Sequence, residues 1–215
     1  MTIVEDRTPT RSDNADFAVA RRAMIDSQLR TVGVNAPFVL RRMGEVARER
    51  FVPAAQRALA YHDREVALGN GRAMNPPLAS ARLVTEADVA STDRVLRVGA
   101  ATGYTAAVLA GLAGSVVALE ADASLAGQAR EALAGLGNVT VVEGPLPAGW
   151  AEGGPYDAIV AQAKIDGRIV TGIADRGVTR LATGRRSEGG FGLVDFADTD
   201  CVVLPGFAKP PSFQF

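Results

Sequence analysis

Val95-Leu96-Arg97-Val98-Gly99-Ala100-Ala101-Thr102-Gly103-Tyr104 reads as a buried strand that runs into a glycine-bearing turn and the start of a helix. Residues 105–112 continue that helix, 115–119 return as a second apolar strand, and Glu120 stands at its tip. Strand, turn, helix and strand in this order form the first βαβ unit of a nucleotide-binding α/β sheet. Glycine at positions 99 and 103 lets the main chain approach a ligand that a Cβ would hold off. A carboxylate at the tip of the second strand can accept hydrogen bonds from both hydroxyls of a ribose. Amides at the helix start favour anionic groups.

Two ligand classes use this geometry. Dinucleotide sites carry G-x-G-x-x-G, and here Ala101 sits where the middle glycine would be. A hydrophobic–Gly-x-x-x-Gly-Tyr run followed by an acid resembles the S-adenosylmethionine turn of class I methyltransferases. A turn that holds no ligand is the third reading of these residues taken alone.

Composition narrows the field. A chain of 215 residues, 47% apolar and 22% charged, suits one globular domain with a real core. A net charge of −1 gives no basic footprint for nucleic acid. Cys201 and His62 are the only residues of their kinds, so cysteine or histidine metal sites and internal disulfides are not expected. His62, beside Tyr61, reads as a packing or hydrogen-bonding residue. No apolar run approaches the length of a membrane helix, and residues 1–14 are polar, without a signal-like core. A cytoplasmic protein with a flexible tail over 1–14 and a single domain over 15–215 is expected.

Within that domain, residues 15–90 read as a helical cap with an active-site loop, and 91–215 as a cofactor-binding sheet with a C-terminal meander. Phe17, Ala20, Met24 and Leu29 share a helical face. Asn35 is expected to cap a second helix that has Pro37 in its first turn and buries Val39, Leu40, Met43 and Val46. Residues 66–77, rich in glycine and proline, read as an irregular functional loop, and 78–90 as a helix. Residues 124–136 give another helix, with Leu125, Ala129, Leu133 and Leu136 on one stripe; 138–142 and 156–160 give further strands. Trp150 reads as a packing anchor and Asp157 as a strand start. Residues 168–174, 178–186 and 191–196 look like antiparallel strands at one edge, and the proline-rich tail over 205–215 is expected to dock on the domain.

In this order the pieces resemble the protein-L-isoaspartate O-methyltransferase family, over about residues 24–196. Met24-Ile-Asp-Ser-Gln-Leu-Arg is similar to the family's opening helix, Arg50-Phe-Val-Pro to its signature before the active-site loop, and Ala60-Tyr61-His62-Asp63 to the Ala-Tyr-x-Asp that follows. Residues 95–104 and Ala106-Ala-Val-Leu-Ala match its cofactor strand and helix. The resemblance implies a class I methyltransferase Rossmann-like α/β sheet with S-adenosylmethionine as cofactor. It also implies a protein or peptide carboxylate as methyl acceptor, and a role in repairing damaged protein. It assigns cofactor contacts to Met74, Asn75, Gly99, Ala100, Ala101, Gly103, Tyr104, Glu120, Ala121, Gly144, Pro145 and Leu146.

The chain departs from the family at chosen places. The family loop Gly-x-Gly-Gln-Thr-Ile-Ser-x-Pro is here Gly69-Asn70-Gly71-Arg72-Ala73-Met74-Asn75-Pro76-Pro77. Asn75 stands for the active-site serine and Arg72 for the glutamine. Asn75 can orient an acceptor or cap the helix that follows. Arg72 can pair with a substrate carboxylate or remain a solvated charge. These two are the catalytic candidates. Arg97 stands where family members carry an acid, and Pro145 where they carry the acid that meets adenine. Tyr104 can cover the cofactor or pack behind it. A non-catalytic relative that binds cofactor or partner, and a methyltransferase with another acceptor, are the alternative functions.

The crossover helix before the fifth strand is missing. Only residues 162–167 separate the fourth strand from the fifth, and six extended residues reach about 20 Å. The link must cross the sheet as bare chain or reverse direction. Either course exposes apolar sheet, and a homodimer that covers it is expected.

Overall fold

The computed structural model describes residues 11–160, 168–175, 178–187 and 190–199. The tail over 205–215 and the tail over 1–10 lie outside them. Nine strands form two sheets among these residues.

The cap comes first. Helix α1 (Arg11–Ala23) passes into a π-helical turn, Met24–Leu29, and a 3-10 turn, Arg30–Val32. Met24 and Leu29 are buried, as their spacing requires. Helix α2 (Pro37–Glu45) begins on its proline and buries Val39, Leu40 and Met43. Its N-cap is Ala36 with no side-chain cap bond, so Asn35 does not cap it. The proline has no N–H to satisfy, which reduces what a cap would contribute. One-turn helices over Arg48–Phe51 and Ala54–Leu59 complete the unit.

Residues 66–74 are not an irregular loop. Strands β1 (Val66–Gly69) and β2 (Arg72–Met74) pair antiparallel around Asn70 and Gly71, whose φ values are 51° and 68°. Positive φ at both central residues matches a tight hairpin turn, for which Asn-Gly is the favoured dipeptide. Helix α3 (Pro77–Ala87) follows at once.

The main sheet has the order β5-β4-β3-β6-β7-β8-β9. Strands β3 (Arg94–Val98), β4 (Ser115–Glu120), β5 (Val139–Glu143), β6 (Ala158–Val160) and β7 (Arg168–Asp175) pair parallel. Strands β8 (Val178–Ser187) and β9 (Gly190–Asp198) add the antiparallel meander. Helices α4 (Tyr104–Ala110) and α5 (Ala123–Leu133) supply the first two crossovers. Because β6 and β7 are parallel, the chain does not reverse between them, and residues 161–167 span the connection.

The two faces of the sheet are covered unequally. Val95, Val116, Ala118, Ala158, Val160 and Val170 pack in one core with residues of α3, α4 and α5. On the opposite face, Leu96, Val98, Val117, Leu119 and Ile159 pack with Leu146, Tyr156 and the partly buried Trp150, all from the segment after β5. Trp150 is thus a packing anchor. Asp157 begins a strand as expected, its Oδ2 accepting the Arg94 N–H at 2.8 Å.

Candidate active site

The carboxyl ends of β3, β4 and β6 lie side by side where the strand order reverses, between β3 and β6. Ligands of open α/β sheets sit at such a switch point. Gly99 turns the chain there with φ 71°, and Ala101 holds φ 52°, an unfavourable value for a residue with a Cβ. The Ala101 N–H is aimed at Glu120 Oε2, at 2.6 Å. Gly103 has a different task from ligand approach. A Cβ there would lie 2.8 Å from Leu133 Cδ1, so this glycine lets the start of α4 pack on α5.

Glu120 is fully buried. Its Oε1 accepts the N–H groups of Ala121 at 2.9 Å and Asp122 at 3.1 Å. Both oxygens also accept from Arg72, the Nη2 donor at 2.8 Å from Oε2 and the Nη1 donor on Oε1. Arg72 is 5% exposed. It is therefore not a solvated loop charge, and that expectation is corrected; in this arrangement its guanidinium is held by Glu120. The hairpin brings it there: β2 carries Arg72 inward, and the turn residue Asn70 donates to Asp122 Oδ2 at 3.0 Å. That bond, followed by the Leu125 N–H on Oδ1, holds the Asp122 carboxyl below its usual range. Asp122 also caps α5.

The loop after the hairpin is held by Arg48, which sequence reasoning passed over. Arg48 is fully buried. Its Nε donates to Ala60 O at 2.6 Å, Nη2 donates to Asn75 O, and the guanidinium lies 4.6 Å from the Tyr104 ring centroid. Burial pulls its pKa down, opposed by Tyr104. One side chain thus joins the cap, the Asn75 loop and the start of α4. Tyr104, 1% exposed, also packs edge-on against Phe51 at 5.7 Å. It packs behind the turn, between Phe51 and Arg48.

Asn75 is half-buried and does not cap α3, whose N-cap is Pro76. The Leu78 N–H is bound instead by Asp63 Oδ1 at 3.0 Å. Met74 is buried in the main core. Gly144 donates its N–H to Glu120 O at 3.0 Å, which sets the chain after β5 beside the acid; Leu146 is buried below it, and Pro145 is exposed. Ala100 donates its N–H to Leu119 O at 2.9 Å. His62 is exposed, so the packing expected of it is corrected. The residue of that signature that packs is Tyr61, whose hydroxyl donates to Glu49 while Arg21 Nε donates to it at 2.7 Å.

A ribose-bearing ligand fits this donor set on one condition. A carboxylate offers about four lone-pair sites, and Glu120 already meets Arg72 and three amides. Two ribose hydroxyls can enter only as Arg72 withdraws. The amides stay in place, so the acid stays oriented. Among the described residues no cluster of His, Cys, Asp or Glu suits a metal ion.

The family model of protein-L-isoaspartate(D-aspartate) O-methyltransferase matches residues 20–177, covering the cap, the hairpin and the parallel strands. The chain belongs to this family. A protein-L-isoaspartate O-methyltransferase 1 of Rhodopseudomonas palustris (strain HaA2) is 40% identical over 192 residues, covering 81% of this chain and 78% of its own. One of Methylorubrum extorquens (strain PA1) is 38% identical over 212 residues, covering 91% and 93%. A solved protein-L-isoaspartate O-methyltransferase superposes with TM-score 0.73 at 21% identity, over 86% of this chain and 66% of that one. A Plasmodium falciparum chain solved with S-adenosyl-L-homocysteine superposes with TM-score 0.67 at 17% identity, over 85% and 96%. These two likenesses carry the fold: a class I methyltransferase sheet.

Proposed function

We propose that this chain transfers a methyl group from S-adenosylmethionine to a carboxylate of damaged protein, as the names of its family relatives describe. The observation that carries the reading is Glu120, buried at the tip of β4 beside the Gly99–Ala101 turn, with three amides fixing its oxygens. The cofactor, when bound, would supply a methyl group on a sulfonium, whose neutral thioether is a good leaving group. Glu120 receives the ribose hydroxyls. The turn at Gly99, Ala100 and Ala101 lies along the ligand, and Gly144, Pro145 and Leu146 border the adenine.

The acceptor carboxylate is its own nucleophile, so no strong base is required. The work left to the protein is alignment and exclusion of water. Asn75, tethered through its carbonyl to Arg48, orients the acceptor with its side-chain amide. A homodimer that covers the apolar sheet left by the missing crossover helix is part of this reading. A monomer at all concentrations in sedimentation would remove that part. A cytoplasmic location is likewise proposed; among the described residues no helix is long and apolar enough to cross a membrane.

The test is a labelled-methyl assay on an isoaspartyl peptide beside its aspartyl control. Labelling of the first alone supports the reading. Labelling of neither, with cofactor bound, removes the acceptor assignment.

A further inference from the structure

Arg97 is a buried cation at the mouth of this site, and the described residues offer it no counter-ion within hydrogen-bond reach. It is 8% exposed. Its Nη1 donates to Val98 O at 2.8 Å and Val160 O at 3.0 Å, so the guanidinium lies at the carboxylate ends of β3 and β6. Its Nε finds no partner. The nearby carboxylate, Glu120, is gripped by both Nη atoms of Arg72. Two guanidinium groups therefore face one carboxylate. Burial lowers the Arg97 pKa to about 10, with Glu120 raising it and Arg72 lowering it further; the group stays charged at neutral pH. An uncompensated buried charge is costly, and a ligand anion would relieve that cost.

Strand order says which part of a ligand would arrive. The adenine border follows β5, the ribose acid ends β4, and Arg97 lies on β3 against β6. A nucleoside laid across these strand ends in that direction brings its 5′ substituent to Arg97. In S-adenosylmethionine this substituent ends in one carboxylate and one ammonium. A guanidinium fork matches a carboxylate and repels an ammonium.

We propose that Arg97 is the specificity-determining residue of the site: it receives the methionyl carboxylate, so the pocket selects adenosine ligands that carry a carboxylate at that end. This rests on the cofactor reading given above. The family resemblance puts an acid at this position, so the end of the ligand read here is reversed in charge.

The probes are S-adenosylmethionine and its decarboxylated analogue, which keeps the sulfonium and the amine. Calorimetry on the unmodified protein should give a preference of about 30-fold for the carboxylated ligand, the scale of a charged hydrogen-bonded pair. Arg97→Gln should shrink that preference to about threefold or less, and Arg97→Lys, which keeps the charge but not the fork, should fall between the two. Equal affinities on the unmodified protein, or a preference unchanged by Arg97→Gln, would overturn the proposal while leaving the cofactor reading intact. Failure of both ligands to bind any of the three proteins would remove the cofactor reading and this proposal with it. The ligand comparison on the unmodified protein decides the matter even where Arg97→Gln does not fold.

Discussion

Arg72 and Glu120, 48 residues apart, form a bidentate ion pair in which the acid is fully buried and the arginine almost so. The pair ties the β1–β2 hairpin to the tip of β4 and occupies the carboxylate that a ribose would use. On the proposed reading, cofactor binding and hairpin docking compete for the same oxygens.

Replacing Arg72 with the family's glutamine should tighten S-adenosylmethionine binding by about tenfold or more in calorimetry, since each 1.4 kcal/mol of lost competition is a factor of ten. The same change should lower stability by about 3 kcal/mol or less. The loss is limited because Ala101, Ala121 and Asp122 still satisfy Glu120. Glu120→Ala should instead abolish measurable cofactor binding. Equal affinities for Arg72→Gln and the unmodified protein would mean that the ribose does not use these oxygens.

Arg48→Met should loosen the Asn75 loop. Two carbonyls, the buried Ala60 O and the O of half-buried Asn75, lose this donor. An orphaned buried polar group costs about 1–3 kcal/mol. Amide exchange should accelerate around the loop and the first turn of α3, beyond the rise expected from lower global stability. Exchange that rises uniformly over the chain would deny Arg48 a local role.

Asp63→Ala removes the side chain that binds the Leu78 N–H at the start of α3. Loss of such a cap costs about 1 kcal/mol. The expected signature is a modest fall in the urea midpoint at unchanged m-value.

Alkaline pH should destabilise the cap through Tyr61. Burial, then the hydrogen bond to Glu49, raise the Tyr61 pKa well above the usual tyrosine range. An unfolded tyrosine releases its proton near pH 10, at about its reference value, whereas the folded one retains it. The unfolded state therefore binds fewer protons above that pH, and stability falls as pH rises. The contribution is complete below about pH 10. Thermal melts over pH 9–11 should show a shallower decline for Tyr61→Phe than for the unmodified protein. Parallel declines would place the loss on other groups.

The hairpin shows how a legible signal can be passed over. Asn70-Gly71 between short runs is a strong local turn cue, yet glycine and proline around it also suit a loop. Two added residues of β pairing decide where Arg72 points. Asn35 and Asn75 both carry good cap chemistry, and neither caps, because Pro37 and Pro77 begin the helices and Asp63 reaches in from outside. Arg48 carries no periodic or motif signal as a charge; only its burial reveals what it holds.

Sequence alone determined the parallel sheet, the turn with its terminal acid, the helical cap and the antiparallel edge. Each is written in short-range periodicity, strand spacing and turn residues, which act over a few positions. The tertiary structure alone decided that Arg72 neutralises Glu120, that Arg48 binds the carbonyls of Ala60 and Asn75, and that Arg97 is buried with no counter-ion within reach among the described residues. Those outcomes depend on how distant segments dock, and a charged side chain's partner is set by desolvation and geometry in the assembled fold, which no local pattern encodes.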